Sequence, residues 1–377
     1  MGETFDIVVI GGGIAGASAA AGLCHLGRLL LVEREDSYGY HTTGRSAAMF
    51  TPTYGNAAIR AITAASREFY YAPPDGFSPH PLVSRRPTLT IALDTDWTAL
   101  RAQVPNFQRT SPEVELLDER ATLALAPFLR PGRIAGAVVD PVTADIDVNG
   151  IHLGLLAHAR KTNAITRNGV EILSGTYRDG VWDIETSNGQ IHAGLVVNAA
   201  GAWGDVIAVR LGVEPAGIVP KRRSAFTFAP PAGAVVDPWP MVIDAAETFY
   251  VKPDAGRILG SPCDATPSAP MDAWPEDMDV AEGAARIEEA TIFEINRMAH
   301  TWAGLRTFAP DNTPIVGRDP AVPGFVWFVG QGGYGIQTAP AMSRIIGELV
   351  AHDRLPQDVA RFGVTLADLS VARFRKS

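Results

Sequence analysis

The chain has 377 residues, 46% of them apolar and 19% charged, with a formal net charge of −9; this is an ordinary globular balance, long enough that two domains are expected. No basic run exceeds Lys221-Arg222-Arg223, which argues against nucleic acid or an anionic membrane surface as a partner, and no stretch approaches the ~18 apolar residues of a membrane span. Cys24, Cys263 and eight scattered histidines give neither a disulfide framework nor a metal-ligand spacing, so no metal is assigned, and reduced thiols in a cytoplasmic protein are the expectation.

Asp6 to Ile10 is an apolar run suited to a strand buried on both faces of a parallel sheet, and no basic flank of a signal peptide precedes it. Gly11, Gly13 and Gly16 follow as G-x-G-x-x-G, then an Ala- and Leu-rich helical segment and a second apolar run, Leu29 to Val32, ending in Glu33. Gly11 permits the tight turn, Gly13 lets a pyrophosphate approach the backbone, and Gly16 lets the helix pack close. The helix N-terminus offers free N–H groups, and Glu33 stands where an acid accepts from ribose hydroxyls. A lone glycine pattern is a weak sign, but here it comes with strand, helix, second strand and acid.

The polar loop Arg34 to Tyr40 leads into the small, hydroxyl-rich run His41 to Ala48, which reads equally as a backbone passing a ligand or as a plain capped loop. Ala57 to Tyr71 has helical spacing and ends at Pro73-Pro74. Pro87 to Leu93 reads as a strand, Glu115 to Leu129 as a helix or helix pair, and Asn149 to Lys161 as a helix after the loop Asp140 to Asp147. Glu171 to Leu173 and Val181 to Glu185 are strands, with Asp179-Gly180 and Asn188-Gly189 as turns. Leu195 to Asn198 runs through Ala199-Ala200-Gly201-Ala202-Trp203 into a helix to Leu211, a second strand–small residue–helix junction. From Val213 to His300 prolines cluster, strands are expected at Ser224–Phe228, Phe249–Val251 and Ile258–Leu259, and a helix at Glu282–Met298; this is an antiparallel sheet with a covering helix, a second domain. Phe325 to Val329 is a strand, Gly330 to Gly335 a glycine loop, and Ile336 to His352 a helix.

Three such junctions therefore stand at the start, middle and end of the chain. One pyrophosphate needs only the first, so the last calls for another ligand end. A flavin supplies it, because its reduced ring is negative near N1 and the C2 carbonyl, and a helix start at Ile336–Thr338 would stabilise that charge. This favours FAD over NAD.

GGGIAG with Glu33, HTTGRSAA, VVNAAGAWGD, HTWAGLRTFAPDNTPIVG and GQGGYGIQT together resemble the D-amino-acid oxidase superfamily of FAD enzymes. PKRRSAFTFAPP, FYVKPDAG, ILGSP, IEEAT and HTWAGLR resemble, within it, the bacterial D-arginine dehydrogenases. The resemblance covers almost the whole chain. It implies an α/β fold: a Rossmann-like FAD-binding domain from residues 1–80, 143–212 and 303–377, and an α+β substrate-binding domain with an antiparallel sheet from 81–142 and 213–302. It implies FAD contacts at Gly11, Gly13, Gly16, Glu33, Arg34, Thr43, Ala47, Ala48, Ala200, Gly201, Gly335, Ile336 and Thr338, and a substrate carboxylate held by Arg223, Arg306 and Tyr250. Planar guanidinium groups suit that task. Read alone, Arg223 is more often a solvated base, Arg306 a structural ion pair and Tyr250 an ordinary half-buried sheet residue. Tyr54 matches a substrate-side tyrosine on a mobile loop, Thr51 to Asn56, and the Gly333 carbonyl matches the acceptor of the substrate amine. The adenine-side segment near Ile172 is shortened, and no contact is carried there.

Two positions depart from the dehydrogenases: Met49 stands for a histidine, and Thr88 for the glutamate that meets the D-arginine guanidinium. Removing that partner costs a buried cation several kcal/mol, and Met is apolar and adaptable. The expected substrate is a D-amino acid with an uncharged or hydrophobic side chain; Arg85 and Arg86 read first as a solvated strand entry and leave an acidic side chain as the weaker alternative. The implied reaction is hydride transfer from Cα to flavin N5, giving an imino acid that water converts to a 2-oxo acid and ammonia, with electrons passing to oxygen or a quinone. No cysteine lies near Leu305–Arg306, where the resembling sarcosine oxidases tether their flavin, so the FAD is expected to be non-covalent. The rivals are oxidation of a secondary amine such as sarcosine, of glycine or of a 2-hydroxy acid, an NAD-dependent dehydrogenase, and a flavin-binding protein without catalysis.

Overall fold

The computed structural model describes residues 2–375; Met1, Lys376 and Ser377, at the outer ends of the expected cofactor-domain segments, lie outside the described residues. The opening strand, Glu3–Ile10, pairs in parallel with Leu29–Val32 on one side and Gly189–Asn198 on the other. Leu29–Val32 continues to Ile165–Arg167, and the end of Gly189–Asn198 to Phe325–Val329, again in parallel. The antiparallel strands Ile172–Arg178 and Val181–Thr186 extend one edge, and Ile315–Arg318 the other branch, giving an eight-stranded sheet. Side-chain alternation sorts the apolar strands onto two faces. Ile7, Val9, Leu31 and Val197 pack under the helices Ile14–Leu23, Val148–Lys161 and Gly335–His352, while Val8, Ile10, Leu30 and Val196 join Trp182 and Trp327 behind.

A nine-stranded sheet forms the second body, in the order Gln331–Gly332, Met298–Phe308, Val219–Phe228, Arg257–Ser261, Tyr250–Asp254, Met241–Asp244, Thr88–Ala92, Gly136–Asp140 and Glu115–Asp118. Its pairs are antiparallel except Met241–Asp244 with Thr88–Ala92. Phe226, Phe228, Val251 and Ile258 point to the helix Asp277–Ala290, where Ile287 completes their core. The alternate residues point the other way, towards the first body. A small sheet of Met49–Phe50, Ala144–Ile146 and Val83–Arg85 lies between. Among the described residues no helix is long and apolar enough to cross a membrane.

Several elements differ from expectation. The segment expected as the loop Asp140 to Asp147 holds the strand Ala144–Ile146, pinned by pairing with Met49–Phe50 and Val83–Arg85. The segment 115–129 is a strand followed by a helix, Glu119–Leu125, because the Asp118 carboxylate caps the Ala121 N–H. A helix at Asp94–Gln108 is additional; Pro105 within it breaks the usual helical signature. The helix expected to reach Met298 stops at Ala290, where the Thr291 hydroxyl donates to the Ile287 carbonyl. Met298 instead opens an eleven-residue strand, Met298–Phe308, in the second sheet, so the boundary expected at 303 falls inside that strand.

Candidate functional site

The opening junction is tight enough to demand its glycines. Gly11 has φ +109°, and a Cβ there would lie 2.5 Å from the Ala199 oxygen; a Cβ on Gly16 would lie 1.7 Å from the Gly11 oxygen. Glu33 closes the turn, its Oε2 accepting from the Gly12 N–H at 2.6 Å and its Oε1 from the Glu35 N–H at 2.9 Å. Thr43 Oγ1 accepts from the Ile14 N–H at 2.9 Å, so the hydroxyl-rich run is held against the start of the first helix. The helix starting at Gly335 begins beside it: a Cβ on Gly335 would lie 3.3 Å from Ile14 Cγ2.

One elongated cavity follows from this arrangement. Gly11, Gly13, Glu33, Arg34, Thr43, Ala47, Ala200, Gly201, Gly335 and Ile336 line it, and Arg223, Tyr250, Arg306 and Gly333 line its other end. Two helix starts, a glycine turn without room for side chains and a carboxylate at the second strand's end form the donor set that a dinucleotide's pyrophosphate and ribose require. The residues present therefore fit FAD. Gly16 does not line the cavity, being buried by packing on Gly11, and neither do Ala48 or Thr338. The Thr338 hydroxyl is spent on the Tyr334 carbonyl at 2.8 Å.

Several lining residues escape the sequence. The cavity reaches Val170, Glu171 and Ile172, where Arg210 donates to the Glu171 carboxylate at 2.7 Å and the Ile172 oxygen at 2.6 Å. The Arg34 guanidinium lies 4.6 Å over the Trp203 ring, which the His41 ring also meets at 4.6 Å. Arg45 ties the cofactor-side run to the second sheet by donating to the Ala303 oxygen at 3.0 Å, and to the segment before the helix Asp277–Ala290 by donating to Asp272 Oδ1 at 2.5 Å and the Ala273 oxygen at 3.0 Å. Long-range contacts of this kind leave no local pattern.

At the other end, register does the assembling. Arg223 stands opposite Gly304 and Lys221 opposite Arg306 on adjacent antiparallel strands, so the two arginines sit diagonally on one face. A Cβ on Gly304 would lie 3.6 Å from Arg45 Cβ and 3.7 Å from Thr42 Cα, so this strand runs close against the hydroxyl-rich segment. The Arg223 Nε donates to the Asp264 oxygen at 2.7 Å, and the Asp264 carboxylate accepts from the Ser224 N–H at 2.6 Å, fixing that strand locally. A Cβ on Gly333 would lie 2.9 Å from Arg306 Cζ, Nε and Nη1, so the glycine gives the guanidinium its seat. Burial pulls Arg306 downward, but Tyr54 and Tyr250 beside it outweigh this and hold it above the usual arginine range. Burial also raises the Tyr250 hydroxyl, keeping it a neutral donor. Among the described residues no group of three or more His, Cys, Asp or Glu could hold a metal ion.

Tyr54, Met49 and Thr88 do not line the cavity. Tyr54 packs on Tyr334, rings 5.0 Å apart, and its loop is tied by Thr53 to Asp140 at 3.1 Å, Thr110 to the Pro52 oxygen at 2.9 Å and Asn56 to Thr313 at 2.9 Å. Met49 pairs with Asp145, and the buried Thr88, whose hydroxyl has no partner among the described residues, pairs with Met241. Met241 and Ile243 pack with Tyr250, Leu259 and Cys263 in one apolar cluster. Lys252, two residues along the strand from Tyr250 and thus on the same face, bonds Asp145 Oδ1 at 2.5 Å, while Arg86 bonds Asp145 Oδ2 at 2.5 Å.

A family model described as DAO, FAD dependent oxidoreductase, matches residues 6–349. The chain is 23% identical to the mitochondrial dimethylglycine dehydrogenase of Mus musculus, over 94% of this chain and 43% of that protein, so it spans less than half of that relative's length. It is 27% identical to a glycine oxidase of Pseudomonas aeruginosa over 92% of this chain and 94% of that one. It is 26% identical to a D-amino acid dehydrogenase of Sinorhizobium medicae over 69% and 60%. Among solved structures, the L-proline dehydrogenase from P. horikoshii shares the fold at a TM-score of 0.84 and 21% identity, covering 99% of this chain and 98% of that one.

Proposed function

The chain belongs to the DAO family of FAD-dependent oxidoreductases, and from that premise we propose that it oxidises a D-amino acid with an uncharged, preferably apolar side chain to the imino acid, which water converts to the 2-oxo acid and ammonia. When bound, FAD supplies the hydride acceptor, at flavin N5. Arg223 and Arg306 hold the substrate carboxylate, each charged bond contributing about 1.5–3 kcal/mol. Tyr250 donates to the same carboxylate as a neutral phenol, and the Gly333 carbonyl accepts from the substrate amine. Oriented this way, the substrate turns its Cα–H to the cofactor end of the cavity, and no strong base is required of the protein. The FAD is held without a covalent bond, and its electrons pass to oxygen or a quinone.

The observation that carries the reading is the convergence of Arg223, Tyr250 and Arg306 at one end of the cavity whose other end is the glycine turn. The preference for uncharged side chains is supported by the apolar cluster of Met241, Ile243 and Leu259 around Tyr250. It is supported also by Lys252 and Arg86 sharing one carboxylate, Asp145, near Met49. A guanidinium at that end would meet cations without the glutamate that Thr88 replaces. The test is a comparison of kcat/KM for D-arginine with D-leucine, D-methionine and D-phenylalanine. The three apolar substrates are expected to lead, and a clear preference for D-arginine would overturn the assignment. A second reading, oxidation of glycine or an N-alkylated glycine, is favoured by the similarity to dimethylglycine dehydrogenase and glycine oxidase; sarcosine, glycine and dimethylglycine in the same assay separate the two.

A further inference from the structure

The middle glycine of Gly11-Gly12-Gly13 has no part in the G-x-G-x-x-G logic, yet it is held from both sides. A Cβ on Gly12 would lie 2.5 Å from Tyr38 Cδ1 and 2.9 Å from Glu33 Cβ. Its N–H donates to Glu33 Oε2 at 2.6 Å, and its carbonyl lies 2.9 Å from His152 Nε2. His152 is only 4% exposed and stands on the helix Val148–Lys161, which packs against the helix that the glycine turn opens. A carbonyl can only accept, so Nε2 carries the proton. The other side of the ring is close to Gly39, where a Cβ would lie 3.0 Å from His152 Cε1 and 3.3 Å from Nδ1.

The Gly12 carbonyl and the Gly13 N–H belong to one rigid peptide plane. Fixing the oxygen fixes the direction of the N–H. With the Ile14 N–H already donated to Thr43, the Gly13 N–H is the neighbouring donor at the start of this helix, and Gly13 lines the cavity. Glycine peptides are the easiest to flip, because neither flanking residue restrains φ. A turn made of three consecutive glycines would lose much of its anion-binding power to such freedom.

We infer that His152 is a positioning residue for the cofactor: it locks the Gly12–Gly13 peptide so that the Gly13 N–H is preset towards the pyrophosphate, with Glu33 clamping the same glycine from its other side. The inference rests on FAD occupying the cavity. It makes His152 an element of cofactor affinity although it contacts no part of the cavity itself.

The experiment titrates apoprotein with FAD for the wild type, His152→Leu, His152→Asn and His152→Gln, following flavin fluorescence, with apoprotein Tm measured in parallel. A glutamine amide reaches the Nε2 position and restores the donor; leucine and asparagine do not. The loss of one buried hydrogen bond predicts an FAD Kd raised about tenfold in the Leu and Asn variants, and a Gln variant within about threefold of wild type. An unchanged Kd in the Leu and Asn variants would overturn the inference, as would a Gln variant as weak as Leu, which would make the role one of packing. Wild-type apoprotein that takes up no FAD would overturn the cofactor premise itself, whatever the variants do.

Discussion

At Arg306 three constraints meet: a strand register that sets it diagonally to Arg223, a glycine at 333 that leaves its guanidinium room, and phenols at 54 and 250 that favour its charge. Arg306→Met is expected to raise KM about ten- to a hundredfold, the loss of one or two charged hydrogen bonds; an unchanged KM would remove Arg306 from the substrate site. Cys263 makes a pH prediction. Burial pushes its thiol up to about 11, with Arg223 and Arg306 opposing. A raised pKa in the folded state gives stability that is complete below the ordinary thiol value of 9.0 and is lost as pH rises through about 11. Thermal unfolding between those pH values should therefore fall more steeply for the wild type than for Cys263→Ala; identical slopes would contradict it. Locally, Arg223 reads as part of a solvated basic run and Tyr250 as a residue of a short strand with its two-residue alternation; only the family resemblance singles them out for the substrate end. Lys252 was readable only by extending that alternation two residues further. Its partner Asp145 was not, since it arrives from a strand more than a hundred positions away, and Arg86, singled out in the sequence, could not be seen to share that carboxylate.

The elements that local chemistry dictates were legible. The glycine turn, its strands and its helix follow from sterics that the structure puts in numbers, and Gly16→Ala should be the most damaging small change in the chain, because its Cβ would meet the Gly11 oxygen at 1.7 Å. The expected result is loss of FAD retention on purification with a lowered Tm; a variant that keeps both would mean the helix can move away at little cost. Elements fixed by distant partners were not legible. The strand Met298–Phe308 follows a helical-looking run, and only its ten-residue register with Val219–Phe228 makes it a strand. The helix Asp94–Gln108 was hidden by Pro105. That strand carries Arg306.

On the scale of the whole molecule, two sheets are set so that the ends of the parallel one and a face of the antiparallel one enclose a single cavity. Arg45 ties the cofactor-side run to the second sheet through the Ala303 oxygen and to the segment before the helix Asp277–Ala290 through Asp272 and Ala273. That plan was foreseeable from three strand-to-helix junctions rich in small residues, while the cavity's extension to Val170–Ile172 was not, because a shortened segment offers no motif. The central claim is that substrate oxidation happens where the arginines meet the far end of the cofactor. Its most direct test is anaerobic mixing of the purified holoprotein with a panel of D- and L-amino acids, followed by exposure to air. The account predicts that D-isomers with uncharged side chains bleach the oxidised-flavin absorbance and that D-arginine does so poorly. Bleaching confined to L-isomers, or a flavin that no amino acid or glycine derivative reduces, would contradict it.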